Sequence, residues 1–134
     1  MTLRLDMIGM AVADMGKALA FYRLMGLDLP PGAEKEDHVE STLPGGIRIA
    51  WDLISMVRTF DPEWTEPTGS PRISLAFLCG SPAEVDRLYA EVVAAGYRGH
   101  KEPWDAFWGQ RYATIVDPDG NGVDLFCPLT PPAS

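Results

Sequence analysis

Tyr112-Ala113-Thr114-Ile115-Val116-Asp117-Pro118-Asp119-Gly120-Asn121-Gly122-Val123-Asp124-Leu125-Phe126 reads as two apolar strands joined by a tight turn. Pro118 presets φ at the turn, and Gly120 and Gly122 are free to take φ > 0 without a Cβ clash. Alone, the stretch is a hairpin. Its surroundings give it more meaning.

Immediately upstream, Trp104-Asp105-Ala106-Phe107-Trp108-Gly109-Gln110-Arg111 is dense in aromatic side chains. Further back, Ser81-Pro82-Ala83-Glu84 is a helix start. Ser81 is the N-cap, Pro82 occupies the first helical position where its missing N–H costs nothing, and Glu84 is the reciprocal capping partner. Val85, Leu88, Tyr89, Val92 and Val93 follow as an apolar stripe, and Gly96 ends the helix. Arg72–Cys79 precedes it as a strand.

The first half repeats this order. Leu3–Val12 reads as a buried strand and Asp14 as an N-cap. Met15, Ala18, Leu19, Tyr22 and Met25 recur at helical spacing before Gly26. After Pro30-Pro31-Gly32 and a charged loop, His38–Leu43 and Ile47–Leu53 read as strands about the turn Pro44-Gly45-Gly46. Ile54–Pro71 carries Pro62, Pro67, Gly69 and Pro71, which predicts a connection, with Met56, Phe60 and Trp64 packed against a core edge or a ligand.

Aligning the halves sets Tyr22 on Tyr89. Each half has one helix, enough to cover one sheet face. The expected fold class is therefore α+β: two βαβββ modules forming curved sheets around a cleft. The expected organisation is one domain over 1–134, with module one at about 3–53, a connection at 54–71 and module two at about 72–128.

An apolar fraction of 46% over 134 residues is enough for a single core. The net charge of −8 opposes nucleic-acid binding through phosphates. No apolar run reaches the roughly 18–20 residues of a membrane span, and Met1–Asp6 lacks a signal-peptide pattern, so a cytoplasmic protein is expected. Cys79 and Cys127 fall in strands and read as buried free thiols.

The chain resembles the vicinal oxygen chelate superfamily, the glyoxalase/bleomycin resistance protein/dioxygenase fold. The residues that carry the resemblance are Met7-Ile8-Gly9-Met10-Ala11-Val12-Ala13-Asp14-Met15, then Phe21-Tyr22-Arg23-Leu24-Met25-Gly26-Leu27, then Asp117–Leu125. The fold hosts metal-dependent isomerases, dioxygenases and thiol transferases as well as metal-free drug binders, so chemistry must come from the site.

In metal-dependent relatives a His or Gln commonly stands where this chain has Met7, a His where it has Ser74, and a Glu where it has Asp124. The fourth position falls on Ile47–Leu53, where Asp52 is the only carboxylate. A thioether and a neutral hydroxyl are poor ligands for a hard divalent ion. His38 and His100 lie outside these positions, and a surface or hydrogen-bonded role is expected for each. No metal or other cofactor and no catalytic set is expected.

The resemblance therefore implies the metal-free, bleomycin-resistance-like branch. The expected function is a homodimeric small-molecule binding protein that sequesters a planar aromatic antibiotic or metabolite, in one form cationic. Trp51, Trp104, Phe107 and Trp108 are its candidate stacking surfaces, with Asp52, Asp124, Met7 and Ser74 also lining the site. The alternative is a metal-dependent lyase, isomerase or dioxygenase with unorthodox ligands.

Overall fold

The computed structural model describes residues 2–129. Contacts divide the chain into two compact units, meeting in sequence at Thr68 and Gly69.

In the first unit, strand β1 (Met7–Val12) leads to helix α1 (Met15–Leu24). Asp14 caps α1, its Oδ1 accepting from the Lys17 N–H at 3.0 Å. The helix closes where Gly26 takes φ 87° and the Leu27 N–H donates to the Tyr22 carbonyl. A single 3₁₀ turn (Ala33–Lys35) then leads to β2 (His38–Thr42) and β3 (Arg48–Leu53), giving a three-stranded sheet in the order β1-β3-β2. Two strands follow the helix here rather than three. Pro30, Pro31 and the left-handed Gly32 divert the chain where a further strand would run.

Ile54–Phe60 forms helix α2, which corrects the expectation of an irregular connection. The prolines all lie beyond its end, and Ile54 and Val57, one turn apart, are buried. Phe60 does not pack as expected and is 70% exposed. Trp64, one turn further, receives the Arg58 guanidinium over its ring at 5.6 Å.

The second unit is the full βαβββ module: β4 (Ser74–Leu78), α3 (Pro82–Ala94), β5 (Arg98–Ala106), β6 (Gln110–Val116) and β7 (Gly122–Pro128), with sheet order β4-β7-β6-β5. Ser81 caps α3 as expected, accepting from the Glu84 N–H at 3.1 Å, but the Glu84 carboxylate reaches the Gly80 N–H rather than that of Ser81. Val85 and Val92 are fully buried, while Val93 turns outward at 43% exposure and so leaves the predicted stripe. Arg111 on β6 grips Asp86 of α3 through two nitrogens, at 2.9 and 3.3 Å, and Asp105 of β5 at 3.1 Å. Tyr89 lies over Gly99 so closely that any Cβ there would collide with the phenol.

Each helix covers one face of its own sheet. On the covered faces Ile49 and Trp51, and Ala113, Ile115, Val123 and Leu125, are buried. The alternate residues of the same strands face the open side. Both cysteines are buried free thiols. Among the described residues no helix is long and apolar enough to cross a membrane.

Candidate functional site

The hairpin between β6 and β7 sets the register of the second unit's open face. Asp117 is buried, and its Oδ1 accepts from the Asp119 and Asn121 N–H groups, both at 2.9 Å, while Oδ2 accepts from the Asn121 side chain at 2.8 Å. Gly120 takes φ 89°, the left-handed position this turn requires. Gly122 does not take positive φ. Its missing side chain instead admits Ser74 and Pro71, whose carbons would lie 3.3 and 3.6 Å from a Cβ.

With that register, Thr114 stands opposite Asp124 and Tyr112 opposite Phe126. Three hydroxyls converge on the Asp124 carboxylate: Tyr112 and Ser74 donate to Oδ2 at 2.7 and 3.2 Å, and Thr114 donates to Oδ1 at 3.1 Å. Asp124 forms no ion pair among the described residues. Burial, then the hydrogen bond to Asp124 and its charge, push the Tyr112 phenol up to about 12. The phenol therefore remains a donor at any ordinary pH.

From Tyr112 a row of rings leads outward. Trp108 meets Tyr112, Trp104 and Phe107 edge-on at 5.3, 5.5 and 4.9 Å, and Phe126 stacks on Tyr112 at 6.3 Å. The Trp108 indole donates to Gln110 at 2.7 Å, which fixes the ring while leaving it 48% exposed. Trp104 lies within β5, and Lys101 covers it at 5.0 Å. Phe107, at the tip of the β5–β6 turn, is 90% exposed.

Beside Asp124 opens a cavity of about 420 Å³, lined by Ser70, Ser74, Arg98, His100, Thr114 and Asp124 among others. His100 is the third residue of β5.

The first unit's open face is of a different kind. Asp52, His38, Glu40, Arg48, Asp6 and Arg4 form a chain of alternating charge: His38 Nδ1 meets Asp52 at 2.5 Å, His38 Nε2 meets Glu40 at 2.9 Å, and Arg48 spans Glu40 and Asp6 at 2.8 and 2.6 Å. Arg4 meets Asp6 at 3.6 Å. The hydrogen bond to Asp52 first, then that to Glu40, raises the His38 pKa. Trp51 lies on the opposite face, fully buried and 5.4 Å from the Tyr22 ring. Its indole nitrogen finds no acceptor, alone among the buried side-chain nitrogens and oxygens of the described residues.

The two sheets share a register. Met7 and Ser74 open their first strands, opposite Arg48 and Gly122 respectively. Asp124 stands two residues beyond Gly122, so its counterpart is Ala50, two beyond Arg48. Asp52 lies two residues further and corresponds to Phe126. Of the positions that the resemblance marks for a metal, the first unit thus carries Met7 and Ala50 and the second carries Ser74 and Asp124, and Ala50 has no ligand atom. Asp124 is the only charged member, and its oxygens are already held by hydroxyls. No cluster of three or more His, Cys, Asp or Glu suited to a metal occurs among the described residues. Neither unit's pair supplies by itself the donors of a divalent ion.

The structure thus brings together Ser74 and Asp124 with Tyr112 and Thr114, and Trp104, Phe107 and Trp108 with Tyr112 and Phe126. Met7, Trp51 and Asp52 belong to the first unit, where Trp51 is buried and Asp52 is paired with His38. Tyr112 and Thr114 went unmarked in the sequence, although alternation back from the Asp-Pro-Asp-Gly-Asn turn places both on the face of Asp124. Arg98 and His100 carry no comparable local signal.

The family model described as Glyoxalase/Bleomycin resistance protein/Dioxygenase superfamily matches residues 4–125. The chain belongs to that superfamily. Solved structures of similar fold include a glyoxalase/bleomycin resistance protein/dioxygenase family enzyme from Burkholderia phytofirmans PsJN, at 19% identity and a TM-score of 0.80 over 95% of this chain and 100% of that one. A glyoxalase-related enzyme from Fulvimarina pelagi aligns at 20% identity and a TM-score of 0.75, covering 92% of this chain and 87% of that one. A glyoxalase/bleomycin resistance protein/dioxygenase from Nocardioides aligns at 20% identity and 0.73, covering 100% and 90%. No curated protein matches this chain. At these identities the likeness concerns the fold alone, and within this superfamily the chain's own side chains must specify its chemistry.

Proposed function

We propose that this superfamily member is a metal-independent small-molecule binding protein, a homodimer that sequesters a planar aromatic compound of the antibiotic type. The observation that carries the reading is the junction at Tyr112, which joins a row of aromatic rings to a carboxylate without an ionic partner among the described residues. A flat ligand on the half-exposed Trp108 gains offset or edge-to-face contacts worth about 0.5–1.5 kcal/mol beyond its area burial. Asp124 Oδ1, which accepts only from Thr114 among the described residues, keeps a lone pair for an N–H or O–H of the ligand.

Intrinsic tryptophan fluorescence, titrated with a broad panel of planar antibiotics, tests this directly. Saturable quenching by at least one compound is expected, weakened about tenfold or more in Trp108→Ala. Absence of saturable quenching across the panel contradicts the proposal. So does quenching that is equal in the wild type and in Trp108→Ala.

A further inference from the structure

The cavity beside Asp124 contains a second recognition element of opposite sign. Arg98 and His100 both line it, from β5, and the hydroxyl-bearing residues Ser70, Ser74 and Thr114 share its wall. Arg98 forms no ion pair among the described residues, in a protein whose net charge is −8. The other arginine on this sheet, Arg111, is held by Asp86 and Asp105. An unneutralised guanidinium in a concave, hydroxyl-lined recess is suited to an oxyanion, because its fork of N–H donors matches a carboxylate in two-point contact.

We propose that this recess binds the carboxylate of the ligand, so that the compound held on the second sheet is a planar aromatic acid. The proposal rests on the reading given above and narrows its ligand class from any planar aromatic compound to one bearing a carboxylate. Arg98 stands opposite Val116 on β6, and Trp104 stands opposite Tyr112. From Val116 to Tyr112 the strand advances four residues, about 14 Å at roughly 3.4 Å each. An aromatic acid therefore reaches from Arg98, past Asp124, toward the rings at Tyr112 and Trp108. The cavity volume of about 420 Å³ lies within the range of about 300–1,000 Å³ common for small-molecule sites. A monoanion suits the recess better than a phosphate dianion, since Asp124 occupies the same cavity and repels added negative charge.

Calorimetric titration of the full chain with matched probes tests the assignment. Naphthalene, quinoline and acridine are each offered as the carboxylate, the neutral carboxamide and the aminomethyl cation. For the ring systems that bind, the carboxylate should bind about tenfold more tightly than its carboxamide in the wild type. Arg98→Gln should abolish that preference, and added salt should weaken the carboxylate more than the carboxamide. Arg98 is exposed, so the variant should keep the wild-type unfolding temperature, which is checked in parallel. Equal affinity for carboxylate and carboxamide, or a preference that survives Arg98→Gln, overturns the anion subsite and leaves aromatic binding standing. Tightest binding by the cations has the same consequence. Failure of all the probes to bind overturns both the subsite and the reading beneath it.

Discussion

The open faces of the two sheets have the same register and opposite chemistry. Where the first sheet pairs His38 with Asp52, the second pairs Tyr112 with Phe126. Where the first has Glu40 bonded to Arg48, the second has Thr114 beside Gly122. Where the first has Ala50, the second has Asp124. On the first face each charge in the chain from Asp52 to Arg4 meets an opposite neighbour. On the second face Asp124 is surrounded by hydroxyls, Arg98 has no ionic partner among the described residues, and aromatic rings flank them. One face has consumed its own electrostatics. The other retains a carboxylate, a guanidinium and ring surface for something else. Duplicated backbone geometry sets the positions, and the side chains decide what is done there.

Substitutions can break this contrast to different degrees. The largest effect is expected at Gly99, which lets β5 lie under Tyr89 and cover the edge of β6, a cover that β2 lacks in the first sheet. Gly99→Ala should cost up to about 3 kcal/mol through overpacking, read as a lowered midpoint in urea unfolding. Next comes the same truncation on each face. Asp124→Ala leaves the Ser74, Thr114 and Tyr112 hydroxyls without their acceptor and should cost about 2 kcal/mol. Asp52→Ala removes a solvent-screened partner of His38 and should cost no more than about 1 kcal/mol. Equal costs in denaturant titration would erase the distinction drawn between the two carboxylates.

The smallest effect is one of pH. His38 has its folded-state pKa raised above the ordinary 6.5 by Asp52 and Glu40. The stabilisation it confers is fully present below about pH 6.5 and is lost as pH rises through the raised value. His38→Gln should flatten that part of the stability profile, and proton NMR should place the His38 titration above 6.5. The Tyr112 phenol on the second face, pushed up to about 12, should add no step near neutral pH.

Local signals in the sequence reported local structure well. Asp14 and Ser81 cap the helices, and Gly26 and Gly96 end them with positive φ, because capping depends on residues within one turn. The Asp117 turn is equally local. The short helix α2 was hidden because the prolines of its neighbourhood follow its last turn and bias any reading of the whole segment. Asp52 looked like a counterpart of Asp124 because composition points to the nearest carboxylate, whereas the counterpart is set by pairing to β1, and that pairing selects Ala50. Trp51 looked like a ligand surface until alternation along β3 placed it on the covered face. Arg98 was invisible as a site residue because its role depends on a cavity assembled from β4, β5, β6 and β7.

The most direct test of the second face as the binding surface is the indole N–H region of a ¹⁵N-correlated NMR spectrum, where the chain's 4 tryptophans give separate signals. At saturation with a planar aromatic ligand, Trp108 and Trp104 should shift while Trp51 and Trp64 hold their positions. Movement of Trp51 or Trp64, with Trp104 and Trp108 unmoved, would contradict the account.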